Sequence, residues 1–60
     1  MITVSKIHPS GALEISAHVR DTVLGGSWYE RQVYYDYDKI EAMRRYRQHL
    51  VANRYALVND

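Results

Sequence analysis

Hydrophobic and polar residues alternate along the first half of the chain, which is the pattern of β-strands. Between residues 12 and 20 an apolar side chain recurs at every second position. These apolar residues are Leu13, Ile15, Ala17 and Val19. A period of two predicts a strand with one buried and one exposed face. Segments 2–7 and 28–35 are rich in β-branched or aromatic residues and predict two further strands.

Two turn signals separate the predicted strands. The first is His8-Pro9-Ser10-Gly11, which combines three residue types typical of tight turns. The second spans residues 21–27 and contains Gly25-Gly26, where the backbone reaches positive φ at little cost. Two short turns that join three strands predict an antiparallel meander.

From residue 38 onward the apolar residues follow a helical period. Asp38 with Glu41 three residues later forms a capping box, and Asn53 is a stop signal, so we predict a helix over about 39–53. The side facing the sheet is expected to carry Ala42, Tyr46, Leu50, Met43, Ile40 and Val51. The apolar tail 55–58 is expected to be coil, a last helical turn or a short fourth strand.

The predicted fold class is α+β, a three-stranded antiparallel meander sheet packed on one C-terminal helix in the order β-β-β-α. It forms a single domain over residues 1–60, in which the helix covers one sheet face and leaves the other open. We place Tyr29, Val33 and Tyr35 of the third strand on the covered face. The open face is expected to carry Trp28, Glu30, Gln32 and Tyr34, together with Glu14, Ser16, His18 and Arg20 of the second strand.

Composition excludes several classes of protein. The chain is 47% hydrophobic and 25% charged, which is typical of a folded domain, and it has no cysteine for a disulfide or a thiolate metal site. Its net charge of +1 argues against recognition of nucleic acid by bulk charge alone. No apolar run approaches the ~20 residues of a membrane span, and the N-terminus does not resemble a signal peptide. We therefore expect a cytoplasmic protein that has no membrane partner.

No residue pattern indicates catalysis. The serines and threonines lie outside any nucleophile motif, and the glycines are turn glycines that no helix follows directly. His8, His18 and His49 fall in a turn, on a strand and on the helix, with no spacing that suggests a triad or a metal site. We expect a protein that is not an enzyme, with no metal and no cofactor.

The predicted partner-binding residues are Trp28, Tyr34, His18, Arg20 and Gln32 on the open face, with Arg44 and Arg45 on the basic edge of the helix. Trp, Tyr and Arg dominate interface energetics, so the first hypothesis is a protein-interaction module, an inhibitor or modulator of a larger host complex. The alternative is a DNA- or RNA-binding module that uses Arg20 and the basic helix edge. Glu14 and Glu30 on the open face weigh against this alternative. A homodimer through the same face or through edge strands is compatible with either hypothesis.

The stretch Asp38-x-x-Glu41-Ala42-x-x-x-Tyr46 resembles the sheet-to-helix junction of plant ethylene-response-factor DNA-binding domains and of some integrase N-terminal domains. Segment 15–20 is also similar to their strand that ends Ala-x-Ile-Arg. This resemblance implies that Arg20 faces the DNA major groove. The first strand departs from the family pattern, because it supplies one cation where the family has several arginines. In size and strand order the chain also resembles small bacteriophage accessory proteins, which bind host macromolecules.

Overall fold

The chain forms a four-stranded antiparallel sheet with one helix packed on one of its faces. The structure, a computed structural model, describes residues 1–58, so the last two residues of the predicted domain lie outside it. The elements are β1 (Ile2–Ile7), β2 (Ala12–Asp21), β3 (Ser27–Tyr34), α1 (Lys39–Ala52) and β4 (Tyr55–Leu57). The predicted β-β-β-α order is confirmed, and the tail adopts the fourth-strand alternative.

β2 is the central strand, and each of the other three strands pairs with it. β3 lies along one of its edges. The other edge is shared by β1, which pairs with residues 12–17, and by β4, which pairs with residues 19–21. The Val58 N–H donates to the His18 carbonyl at 2.9 Å next to this junction. β1 reaches only to Ala17, so β4 supplies hydrogen-bond partners for backbone groups of β2 that would otherwise lack them.

The core lies between β2 and α1. It consists of alternate residues of β2 and of one helix stripe with a spacing of four, namely Ile15, Ala17, Val19, Ala42, Tyr46 and Leu50. Partly buried side chains pack around this cluster from all four strands: Ile2, Val4, Leu13, Trp28, Tyr34 and Tyr55. The predicted buried face of β2 and the centre of the predicted helix stripe are therefore confirmed.

The predicted helix stripe is too wide. Ile40 and Val51 were expected to face the sheet, and this prediction is wrong because they are 84% and 76% exposed. An α-helix turns by about 100° per residue, which puts Val51 roughly 140° and Ile40 roughly 120° around the axis from Tyr46. Both side chains therefore point away from the narrow sheet.

The predicted faces of β3 are also wrong. Trp28 lies opposite Val19 in the antiparallel register, and Tyr34 lies opposite Leu13. Residues directly opposite each other share a face, so Trp28 and Tyr34 lie on the helix side of the sheet. Side chains alternate along a strand, so the helix side also carries Glu30 and Gln32. The loop between β2 and β3 sets the pairing of Arg20 with Ser27, and a shift of one residue would exchange the two faces.

Both ends of α1 are capped. Asp38 is the predicted N-cap, and its Oδ1 accepts a hydrogen bond from the Glu41 N–H at 2.8 Å. Asn53 is the C-cap, and the next residue, Arg54, adopts a positive φ of 59° that turns the chain into β4. The Arg54 carbonyl accepts hydrogen bonds from Thr22, from its N–H at 3.1 Å and from its Oγ1 at 2.7 Å. The end of the helix is thus tied to the β2–β3 loop.

We expect Arg54→Gly to raise the free energy of unfolding by about 0.5–1 kcal/mol, because glycine adopts the left-handed region without steric strain. Urea denaturation measures the change. Asn53→Gly is the control, since Asn53 has a φ of −97° and no strain to relieve, and it should lower stability. A loss of stability in Arg54→Gly would contradict the prediction.

Candidate functional site

The open face of the sheet is the face that α1 does not cover. Among the described residues it carries Thr3, Ser5, Glu14, Ser16, His18, Arg20, Tyr29, Arg31 and Val33. At its centre the rings of His18 and Tyr29 are stacked across β2 and β3, with centroids 5.0 Å apart and planes at 24°. Tyr29 is 72% exposed, so most of its ring remains available for contact. Both residues are on strands, and their positions are therefore held by the sheet.

Two arginines flank this stacked pair. Arg20 follows His18 on the same face of β2 and is exposed, and Arg31 follows Tyr29 on the same face of β3. The Arg31 guanidinium lies 3.8 Å from the Glu14 carboxylate, and its side chain is 68% exposed. An ion pair this long and this exposed is weak. Among residues 1–58 the strands thus place two arginines and one carboxylate on the open face, because Glu30 lies on the other face.

A polar network that sequence analysis missed joins the helix face of β3 to α1. His49 Nε2 lies 2.6 Å from Glu30 Oε2, and Trp28 Nε1 donates to Glu30 Oε1 at 2.9 Å. Gln32 Nε2 donates to the same carboxylate at 3.4 Å. The Tyr46 hydroxyl donates to the Glu30 main-chain carbonyl at 2.8 Å. The predicted partner-binding residues Trp28 and Gln32 are thus engaged within the protein.

The hydrogen bonds assign the protonation of this network. Burial raises the pKa of Glu30, but hydrogen bonds from His49, Trp28 and Gln32 outweigh it, and the net pKa is lowered. An ionised carboxylate only accepts hydrogen bonds, so His49 Nε2 carries a proton. Asn53 Nδ2 lies 3.3 Å from His49 Nδ1 and donates to it in the neutral tautomer. The side-chain partners of His49 among residues 1–58 are Glu30, Gln32 and Asn53.

The chain itself covers the aromatic residues that were predicted to be open. Trp28 packs edge-on against Tyr55 of β4, with ring centroids 4.9 Å apart and planes at 87°. Tyr34 meets Tyr37 edge-on at 6.4 Å, and burial raises the pKa of its phenol. The helix, the loop before it and the C-terminal strand therefore cover this side of β3.

Arg44 and Arg45 lie on the outer surface of α1. Both bind Glu41, at 2.7 and 3.0 Å, and the Arg45 guanidinium stacks 4.4 Å above the Tyr37 ring. These residues are on the opposite side of the sheet from Arg20. The seven predicted partner-binding residues thus separate into three regions: His18 and Arg20 on the open face, Trp28, Gln32 and Tyr34 on the helix face, and Arg44 and Arg45 outside the helix.

The part of the chain that the structure describes contains no group of three His, Asp or Glu side chains arranged to hold a metal ion. His8 lies in the first turn, whereas His18 lies six residues beyond the start of β2, a separation of roughly 20 Å along the strand. Among residues 1–58 there is also no helix of the length and apolar character needed to cross a membrane.

Comparison with known proteins places the chain in no family. No family model, curated protein or solved structure matches it. The resemblances to ethylene-response-factor domains, integrase domains and phage accessory proteins therefore stay predictions, which depend on a short sequence pattern, on chain size and on the order of the elements.

Proposed function

We propose that this protein binds single-stranded nucleic acid through the open face of its sheet. The observation that carries the proposal is the exposed Tyr29 ring, stacked on His18 and flanked by Arg20 and Arg31. A flat exposed ring offers a stacking surface to an unpaired base, and arginines offer contacts to phosphates. Open antiparallel sheets bind single strands with this combination of side chains.

The position of Glu30 also favours phosphate binding on the open face. Its carboxylate was expected on the open face, where it would repel phosphates, but it lies on the helix face and is bound to His49. Among residues 1–58 the other acid on this face is Glu14, whose contact with Arg31 is 3.8 Å long and weak. Two arginine–phosphate contacts correspond to a modest salt dependence, with a slope of log K against log salt of about −1.4 for a single strand.

The proposal is tested by the fluorescence anisotropy of a labelled oligopyrimidine, titrated with the protein at several salt concentrations. We expect Tyr29→Ala to weaken binding by at least about fivefold, the lower end of the effect of losing one base–aromatic stack. Arg20→Gln with Arg31→Gln should bring the salt slope close to zero. A duplex of the same length should bind more weakly, because its bases are already stacked.

The matched control is Arg44→Gln with Arg45→Gln, which removes the same charge from the outer surface of α1. This control should bind as the parent does. Equal losses in the two double variants would show binding by bulk charge and would reject the open face as the site. An absence of binding at low salt would reject the proposed function itself.

A protein partner is the second candidate function. Tyr29 and Tyr35 are 72% and 65% exposed, and with Arg31 they represent the residue types that dominate protein interfaces. Trp28 and Tyr34, which first suggested this function, are covered by the chain itself. A partner protein captured by the parent but not by Tyr29→Ala, and not displaced by the oligonucleotide, would favour this candidate.

A further inference from the structure

The hairpin tip between β2 and β3 holds two aliphatic side chains in solvent. Val23 and Leu24 are 61% and 87% exposed. Their backbone N–H groups both donate to Asp21 Oδ1, at 2.8 and 2.9 Å, and Thr22 is bound to the Arg54 carbonyl. The tip is therefore an ordered turn. Apolar side chains held outward by an ordered turn favour contact with a partner surface.

A groove lined mainly by apolar side chains lies between α1 and β4. It has a volume of about 230 Å³ and is lined by Arg47, Leu50, Val51, Tyr55 and Leu57. Val51 and Leu57 are 76% and 40% exposed, so the groove presents aliphatic surface to solvent. A space of this size and polarity accommodates a branched aliphatic side chain such as that of Leu24.

A carboxylate lies beside the tip and a cation lies beside the groove. Asp21 lies at the base of the tip, and hydrogen bonds from the Leu24 and Val23 N–H groups lower the pKa of its carboxyl group. Arg47 borders the groove, and no carboxylate within residues 1–58 forms an ion pair with it. Both features lie at the same end of the molecule, since Tyr55 of the groove pairs with Asp21 in the sheet.

We infer that the groove receives the hairpin tip of a second copy of the chain, which gives a symmetric dimer. Each Leu24 enters the groove of the other copy, and each Arg47 meets Asp21 of the other copy. A two-fold axis suits this arrangement, because tip and groove lie close together on one chain and an isologous contact uses the same patch twice. The open face takes no part in the contact, so this inference is independent of nucleic-acid binding.

Sedimentation velocity from micromolar to submillimolar concentration tests the dimer. The parent should show a dimer that dissociates on dilution, and Leu24→Glu and Val51→Lys should each be monomeric. An equimolar mixture of the two variants should form a mixed dimer. In it the unchanged tip of one variant enters the unchanged groove of the other, and the second contact pairs the new glutamate with the new lysine. Both positions are highly exposed, so the variants should fold, and circular dichroism checks this.

Ile40→Lys is the matched control. Ile40 is 84% exposed on the same helix, but it lies about 16 Å along the axis from Val51, away from the groove. This variant should dimerise as the parent does. A parent that stays monomeric at submillimolar concentration would overturn the inference. So would a dimer that survives Leu24→Glu, or a mixture of the two variants that stays monomeric.

Discussion

Glu30→Ala is expected to lower the free energy of unfolding by about 2–4 kcal/mol, as measured by urea denaturation. Removal of the carboxylate leaves Trp28 Nε1 and His49 Nε2 without their acceptor between β3 and α1. The Glu30 side chain is only 18% exposed, so water cannot fully replace it. In a 60-residue domain a loss of this size is a large share of the total stability.

Glu14→Ala is the control for the Glu30 variant. Glu14 lies on the open face, where its ion pair with Arg31 is 3.8 Å long and exposed, and its removal should cost less than about 0.5 kcal/mol. Similar losses in the two variants would show that the network under the helix contributes no more than a surface charge.

The dependence of folding stability on low pH is a second measure of what the Glu30 network contributes. The folded-state pKa of Glu30 lies below its ordinary value of 4.5. Its contribution to stability is therefore complete above that ordinary value and is lost as the pH falls through the lower folded-state pKa. Glu30→Gln lacks this titration, so its stability should fall less steeply than that of the parent below pH 4.5.

Alkaline pH is expected to destabilise the parent strongly through Tyr46, by about 2 kcal/mol between pH 10 and 12. Burial, with the charge of Glu30 as a smaller cause, raises the pKa of Tyr46 from 10.0 to about 12. The folded state thus favours the neutral phenol. Its contribution is complete below pH 10 and is lost as the pH rises through the folded-state pKa of about 12. Unfolding free energies measured across this range report the loss.

Tyr46→Phe should lose most of this alkaline transition, with a smaller part remaining from Tyr34, and at neutral pH it should cost about 1 kcal/mol for the missing hydrogen bond to the Glu30 carbonyl. Tyr29→Phe removes a hydroxyl from a side chain that is 72% exposed and should behave as the parent does. An alkaline transition that persists unchanged in Tyr46→Phe would show that another group causes it.

The open face was predictable on β2 but not on β3. On β2 every second residue is apolar, so His18 and Arg20 could be placed on the open face from the sequence. On β3 both alternating sets contain an aromatic residue and polar residues, so hydrophobicity does not decide between them. The register that the loop sets decides instead. It places Tyr29 and Arg31 on the open face, and Trp28 and Tyr34 on the helix face.

The network beneath the helix left no signal in the sequence. Glu30 and His49 are 19 residues apart on different elements, and each is an ordinary surface residue type. They meet because β3 places Glu30 on its helix face and α1 places His49 beside its buried stripe. Two groups whose contact depends on the packing of one element on another cannot be paired from periodicity.

The sequence by itself determined three strands, two turns, a helix that begins after Asp38 and the buried side of β2. Each of these depends on period, turn chemistry or capping within a few residues. Only the tertiary structure decided the faces of β3, the outward positions of Ile40 and Val51 and the pairing of the tail with β2. The faces of β3 depend on the loop register, and the exposure of Ile40 and Val51 depends on the width of the sheet beneath the helix. The pairing of the tail depends on backbone groups that β1 leaves without partners. All three are set by contacts between segments far apart in the chain.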